Sequence, residues 1–209
     1  MQSIKDTIKT NPLAYKMAKA IVCWLQSLPY CLQGLKSRKT SRSLMLGSAS
    51  KREGWTTFDI VPGADFLGHI ASLALFESGS MEKIYASHVL EHITDTEAHS
   101  ALKEMRRVLR PGGEVFIVVP DMVSVSGLLT GGSEAQATAM EIIYGVNMQC
   151  PDHSPQHKFG YTRQSLEELL VQCGFVDIHE FQPFVSDTSS YYVHDTRVSL
   201  CLKGKKPGK

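Results

Sequence analysis

Residues 83–121 read KIYASHVLEHITDTEAHSALKEMRRVLRPGGEVFIVVPD, and this stretch decides the fold. An apolar run at 84–87 and a valine-rich run at 115–119 flank a segment whose apolar residues recur at helical spacing. Pro111-Gly112-Gly113 ends that segment, because proline and glycine stop a helix. Strand, helix and strand in this order are the repeating unit of a parallel α/β sheet, whose ligands bind beyond the carboxyl ends of its strands. Residues after position 87 are therefore the first candidates for a functional site.

The helix and the neighbouring strands follow from the same kind of signal. Thr94 and Glu97 predict the start of the helix, since a threonine cap followed by an acid suits the first turn. Further strands are predicted at 43–47, 55–60, 175–181 and 196–202, with an extended piece at 64–70 and a helix from Thr162 to Cys173. Only residues 48–54 separate the first two strands, which is too short for a crossover with its own helix. We expect the first crossover helix to be vestigial or absent.

Length and composition favour one domain at 43–203, with a helical extension and linker at 1–42 and a basic tail at 204–209. The chain has 209 residues, 43% of them hydrophobic, and a formal charge of +1, so no overall field attracts nucleic acid. Its five cysteines are scattered without a C-x-x-C pair, which excludes a zinc ribbon and fits a reducing compartment. No run approaches the roughly 20 apolar residues that span a bilayer. We expect a cytoplasmic protein, and the sequence does not specify its oligomeric state.

The extension at 1–42 contains an amphipathic pattern between Pro12 and Gly34, interrupted near Pro29, and an excess of lysine and arginine. The favoured interpretation is a helix packed on the domain with its charges in solvent. A lid over the site and a peripheral contact with a membrane surface are the alternatives.

Small residues follow the first predicted strand, and an acid closes the second. Gly47-Ser48-Ala49-Ser50 would let a ligand approach the backbone, although any tight turn could use them. Asp59 stands where nucleotide-binding α/β folds place an acid for a ribose diol, but a structural aspartate is equally common there.

His88, Glu91 and His92 lie at i, i+3 and i+4, which puts them on one face if the segment is helical. Two imidazoles and a carboxylate could bind a divalent metal, or act as a general base with its orienting group. A third interpretation is that they only cap and orient local backbone.

With these residues in view, the order of elements over 44–202 resembles the class I S-adenosylmethionine-dependent methyltransferases, in particular small bacterial members with a short first crossover. The most specific segments are Ile84 to His92 and Glu104 to Gly113. The resemblance implies a Rossmann-like, doubly wound, mostly parallel seven-stranded sheet with an antiparallel last strand. It also implies S-adenosylmethionine as cofactor and S-adenosylhomocysteine as product.

The resemblance also implies roles for individual residues. The cofactor's methionine part would lie at Gly47 and Ser48, and its ribose hydroxyls would bind Asp59. His69 and Ile70 would flank the adenine. Ser87 and His88 would lie beside the cofactor at the end of the fourth strand. Two positions depart from the family pattern: only one glycine remains in the first motif, and a histidine replaces the acid often found at position 69.

The segment 156–163 is similar to the one that delivers a metal-binding histidine in small-RNA 3′-terminal 2′-O-methyltransferases. That resemblance makes a four-ligand site of His88, Glu91, His92 and His157 conceivable. The sequence favours a metal-free site instead, with His88 or His92 as general base. Glu91, His157 and Tyr161 complete the set of catalytic candidates.

The sequence thus predicts methyl transfer to an oxygen or nitrogen atom of a small-molecule, glycan or carrier-bound acceptor. The alternatives are an inactive methyltransferase-like binding module, suggested by the depleted glycine motif, and a metal-assisted RNA 2′-O-methyltransferase. The formal charge of only +1 and the lack of a clear aromatic stacking platform disfavour nucleic acid as a partner. A nicotinamide oxidoreductase is disfavoured, because no G-x-G-x-x-G opens a helix after the first strand.

Overall fold

The computed structural model describes residues 41–61, 63–145, 156–184, 192–193 and 195–208. The predicted N-terminal helix lies outside these residues, so its three interpretations stay predictions. The described part contains these strands: β1 Ser43–Leu46, β2 Thr56–Asp59, β3 Phe66–Leu67, β4 Met81–Ser87, β5 Leu109–Pro120, β6 Val176–Glu180, β7 Tyr192–Val193, β8 Thr196–Arg197 and β9 Ser199–Lys205. Its α-helices are α1 Asp95–Val108, α2 Met122–Leu128, α3 Ser133–Tyr144 and α4 Arg163–Gln172.

Seven strands form one sheet in the order β3-β2-β1-β4-β5-β9-β6. The pairs from β3 to β5 are parallel, and β9 runs antiparallel to both of its neighbours. The predicted Rossmann-like sheet with an antiparallel last strand is therefore confirmed. Residues 47–55 contain no helix, so the first crossover is as short as expected.

The central unit forms as its sequence predicts. Thr94 accepts a hydrogen bond from the Glu97 backbone while the Glu97 carboxylate bonds back to the Thr94 N–H, a complete capping box. The inner face of α1 is fully buried, and the helix ends at Val108 just before the proline and glycines. Its partner β5 is buried over its last half, as a central strand requires.

Two predictions near the C-terminus need correction. The run 196–202 is not one strand, because Thr196–Arg197 pairs with β7 in a separate hairpin and β9 begins only at Ser199. In addition, β9 continues through Lys205, where it pairs with Glu114 and Val176, so the predicted tail begins inside the sheet. The Lys206 ammonium then donates to the Leu109 carbonyl at 2.6 Å.

The two faces of the sheet carry different cores. One face packs mostly aliphatic side chains, together with Phe58, Phe66 and Phe76, against α1 and α4 and forms the larger cluster. The other carries an aromatic cluster whose rings meet at centroid distances of 5.0–6.4 Å; its members are Trp55, Tyr85, Phe116, Phe181 and Phe184. These layers fix the strand ends that form the candidate site.

Candidate active site

The carboxyl ends of β1, β2 and β4 meet at one edge of the sheet. Leu46 stands opposite both Phe58 and Ala86, so the next residues along each strand, Gly47, Asp59 and Ser87, follow at the same level. A cavity of about 100 Å³ opens between β1 and β4; it is lined by Met45, Leu46, Gly47, Ser48, Arg52, Tyr85 and Ser87. The residues that the sequence assigned to one ligand are therefore neighbours in space.

Gly47 is required by the backbone at this edge. Its φ is +75°, and a Cβ placed there would lie 2.1 Å from Cγ2 of Val89. Its N–H donates to the Phe58 carbonyl at 2.9 Å, which ties the end of β1 to β2. A single glycine thus allows the tight turn that a longer glycine motif would otherwise provide.

Asp59 lies half-buried at the end of β2. Its Oδ1 accepts a hydrogen bond from the Val61 N–H at 2.9 Å, and burial raises the pKa of its carboxyl, partly offset by that bond. The two predicted adenine neighbours differ in surroundings: His69 is exposed, with Nδ1 3.3 Å from the Ala71 nitrogen, whereas Ile70 is buried in the aliphatic core.

His88 departs from the helical geometry assumed for the histidine cluster. It has φ +52°, and only Leu90–His92 form a short 3₁₀ turn. Its Nδ1 lies 3.0 Å from Glu91 Oε1, and its Nε2 lies 3.4 Å from Ser199 Oγ on β9. His88 and Glu91 are therefore bonded to each other, although they do not share a helical face.

Ser199 is a site residue that the sequence did not reveal. It lies 111 positions from His88 along the chain, and only the antiparallel pairing of β9 with β5 brings it there. No local pattern in the sequence marks it.

Glu91 is the most unusual side chain of the site. It is 1% exposed, and within the described residues its Oε2 has no hydrogen-bond partner. Its backbone carbonyl accepts bonds from the Lys158 and Phe159 N–H groups at 2.7 and 3.2 Å. These bonds join the turn after β4 to the segment that carries His157.

His157 lies beside His92. Their ring centroids are 4.7 Å apart, and the His157 ring packs so closely on Gly145 that a Cβ there would lie 2.4 Å from it. Burial is the main cause that lowers the pKa of His157, while the nearby Glu91 charge acts in the opposite direction. One ligand atom each from Glu91, His92 and His157 lies within 4.8 Å of the other two.

Tyr161, the remaining catalytic candidate, is 1% exposed, and its hydroxyl has no hydrogen-bond partner among the described residues. Burial, together with the charges of Glu91 and Asp95, raises the pKa of its phenol. A phenol with a raised pKa stays protonated at neutral pH, so it could donate a hydrogen bond but would not act as a general base. Its catalytic role stays a prediction.

The strand-end residues fit a nucleoside cofactor with a sulfonium tail. Ser87 Oγ is buried without a hydrogen-bond partner in the described part of the chain, and it lines the cavity beside Gly47. Asp59 presents a carboxylate one strand away, the acceptor that a ribose diol requires. An unsatisfied hydroxyl and an available carboxylate at one strand edge are the groups that such a ligand would use.

Comparisons with known proteins agree with this geometry. A family model described as a methyltransferase domain matches residues 44–117, which include β1 to β4, α1 and the first part of β5. A search of curated proteins finds no match to this sequence.

Solved structures share the fold at low sequence identity. A protein from Thermotoga maritima, named a SAM-dependent methyltransferase and possible histamine N-methyltransferase, is 13% identical, with a TM-score of 0.53 over 99% of this chain and 100% of that one. A SAM-dependent methyltransferase from Methanosarcina mazei is 13% identical, with a TM-score of 0.50 over 85% and 98%. A possible exported protein from Bordetella parapertussis is 10% identical, with a TM-score of 0.52 over 86% and 66%.

Within the described residues, no helix combines the length and apolar character that crossing a membrane would take.

Proposed function

We propose that the chain is a class I S-adenosylmethionine-dependent methyltransferase and that it methylates an oxygen or nitrogen atom of a small-molecule, glycan or carrier-bound acceptor. The methyltransferase-domain model that matches residues 44–117 and the fold shared with solved methyltransferases support this proposal. The observation that carries the proposal is the meeting of Gly47, Asp59 and Ser87 at one sheet edge, with His88 next to them. The cofactor would supply an electrophilic methyl group on a sulfonium. The chain's own residues would supply alignment and proton transfer.

In this proposal the strand ends hold the cofactor. Asp59 accepts hydrogen bonds from the ribose hydroxyls, and Ser87 contributes its unpartnered hydroxyl. Gly47 and Ser48 leave room for the methionine part, while His69 and Ile70 bound the adenine from an exposed and a buried side.

His88 is our choice for the general base. If Nδ1 carries the hydrogen and donates to Glu91 Oε1, Nε2 keeps its lone pair and can accept the proton of an acceptor alcohol. Ser199 Oγ lies 3.4 Å from Nε2, and the hydroxyl of an incoming acceptor would take its place there. A partly exposed imidazole whose Nδ1 is fixed by a buried carboxylate is well placed to receive that proton.

Calorimetric titration with S-adenosylmethionine and S-adenosylhomocysteine tests the cofactor site. We expect Asp59→Asn to weaken both affinities by about tenfold to 100-fold, since hydrogen bonds to a charged group contribute about 1.5–3 kcal/mol. The matched control is Asp177→Asn, the same change at an exposed carboxylate on β6 that pairs with Lys205 on β9. The absence of binding heat with millimolar ligand would refute the proposal.

A screen with methyl-labelled cofactor tests turnover. Metabolite extracts, glycans and RNA 3′ ends serve as acceptors, so that the RNA alternative is included. We expect label in a small molecule or glycan, and His88→Gln should abolish most of it. Tight cofactor binding without label in any acceptor would instead support the binding-module alternative.

A further inference from the structure

Three side chains capable of ligating a metal converge where the turn after β4 meets the segment before α4. Glu91 comes from the 3₁₀ turn, His92 follows it, and His157 arrives from a remote part of the chain. Their ligand atoms all lie within 4.8 Å of one another. Two imidazoles and a carboxylate are a donor set that divalent transition metals accept.

Two atoms of this group are buried and lack partners in the described part of the chain. They are Glu91 Oε2 and His157 Nδ1. A carboxylate that is 99% buried and has one oxygen without a hydrogen bond destabilises the folded chain, unless a cation or a donor binds that oxygen. Both bare atoms belong to the three converging side chains, so one cation between them would satisfy both.

The nitrogens of His92 and His157 are free on the side that a metal ion would use. His92 Nδ1 lies 3.4 Å from the Gln156 carbonyl, which leaves Nε2 available as a ligand. His157 Nδ1 is buried without a partner among the described residues, so it is the nitrogen available to a ligand. The His92 ring would thus donate one N–H to a carbonyl and turn its other nitrogen to the cluster, which is the usual outer support of a metal ligand.

His88 takes a different part from the one its spacing suggested. Its Nδ1 is already engaged with Glu91 Oε1 at 3.0 Å, and its Nε2 lies near Ser199. His88 therefore orients the ligating carboxylate from outside, and Oε2 remains for the ion.

From these contacts we propose that Glu91, His92 and His157 bind one divalent transition-metal ion, with zinc as the best match. Three protein ligands leave a coordination position open, as in catalytic zinc sites. Ligand atoms around tetrahedral zinc lie about 3.3 Å apart, so the widest pair would close by about 1.5 Å. The partly exposed His92 has the freedom for that rotation. The site is independent of the methyl-transfer proposal and is tested without cofactor.

Cobalt(II) titration of the full-length chain after chelator dialysis tests the site, because bound cobalt absorbs visible light according to its coordination. We expect one cobalt per chain with the bands of a four- or five-coordinate ion, displaced by zinc. His157→Asn and Glu91→Gln should each weaken cobalt binding by at least about 100-fold. His88→Gln, which removes only an outer hydrogen bond, should weaken it by about tenfold to 100-fold.

The matched control is His179→Asn, which changes an exposed histidine on β6 whose Nδ1 bonds the Asp177 carbonyl. It should bind cobalt like the natural protein. If Glu91→Gln does not fold, as judged by circular dichroism, His92→Asn replaces it, since His92 is less buried. Absence of the cobalt bands in the natural protein, or equal affinity in His157→Asn and His179→Asn, would overturn the proposal.

Discussion

Substituting Gly47 by alanine tests how the strand edge is built. Because the backbone there has φ +75°, an alanine should lower the free energy of unfolding by about 1–2 kcal/mol. The new Cβ would also stand 2.1 Å from Val89 Cγ2, and overpacking of this kind costs about 1–3 kcal/mol more. We expect Gly47→Ala to lower the free energy of unfolding by about 2–5 kcal/mol, measured by urea denaturation with an unchanged m-value.

Gly54 provides the matched control for the clash. Its φ is +77°, but a Cβ there meets nothing within 4 Å. Gly54→Ala should therefore show only the backbone cost, about 1–2 kcal/mol. Adding Val89→Ala to Gly47→Ala should recover much of the difference, so the double-mutant cycle should give a coupling of about 1–3 kcal/mol. Equal losses in the two glycine variants, or a coupling near zero, would refute the reasoning.

Three further predictions concern single groups. Thr94→Ala should cost about 1 kcal/mol of stability in urea through loss of the capping box, whereas Thr96→Ala in the same exposed turn should cost much less. Burial lowers the pKa of His157, so the unfolded chain binds the proton more readily than the folded one. The melting temperature should therefore fall as the pH drops below about 6.5. His157→Asn should reduce this pH dependence in a series of thermal melts. Tyr161→Phe should change the free energy of unfolding by less than about 1 kcal/mol, because the hydroxyl has no partner among the described residues. A loss of turnover at unchanged stability would then mark the hydroxyl as catalytic. Unchanged turnover would rule that role out.

The sheet could be predicted because its signals are local. The run around β4 and the capping box at Thr94 each act within a few residues, and the structure contains both. The helix also ends before the proline and glycines, but these residues lie within β5, which begins at Leu109, earlier than its valine-rich run predicted. The short loop between β1 and β2 likewise excluded a helix by length alone. The end of β9 could not be predicted, because Gly204 and Lys205 look like tail residues and pair only with distant β5 and β6.

The site was predictable only in part, for a related reason. Gly47, Asp59 and Ser87 end strands whose order the resemblance supplied, so their convergence followed. Ser199 and the contact of His157 with His92 depend on how β9 and the segment before α4 return to the β4 edge. Long-range returns of this kind leave no spacing signal, since the intervening chain could have almost any length.

The histidine cluster shows why spacing alone can give the right neighbours for the wrong geometry. Positions i, i+3 and i+4 suggested one helical face, yet His88 has φ +52° and lies outside the 3₁₀ turn. With that backbone the His88 ring contacts Glu91 Oε1 and Ser199, while a ligand atom of Glu91 also lies within 4.8 Å of those of His92 and His157. Because one buried carboxylate then serves two groups, any change at Glu91 should alter both the proton acceptance of His88 and the proposed cation site. His157→Asn should affect only the second, so the two variants together separate acid–base chemistry from metal binding.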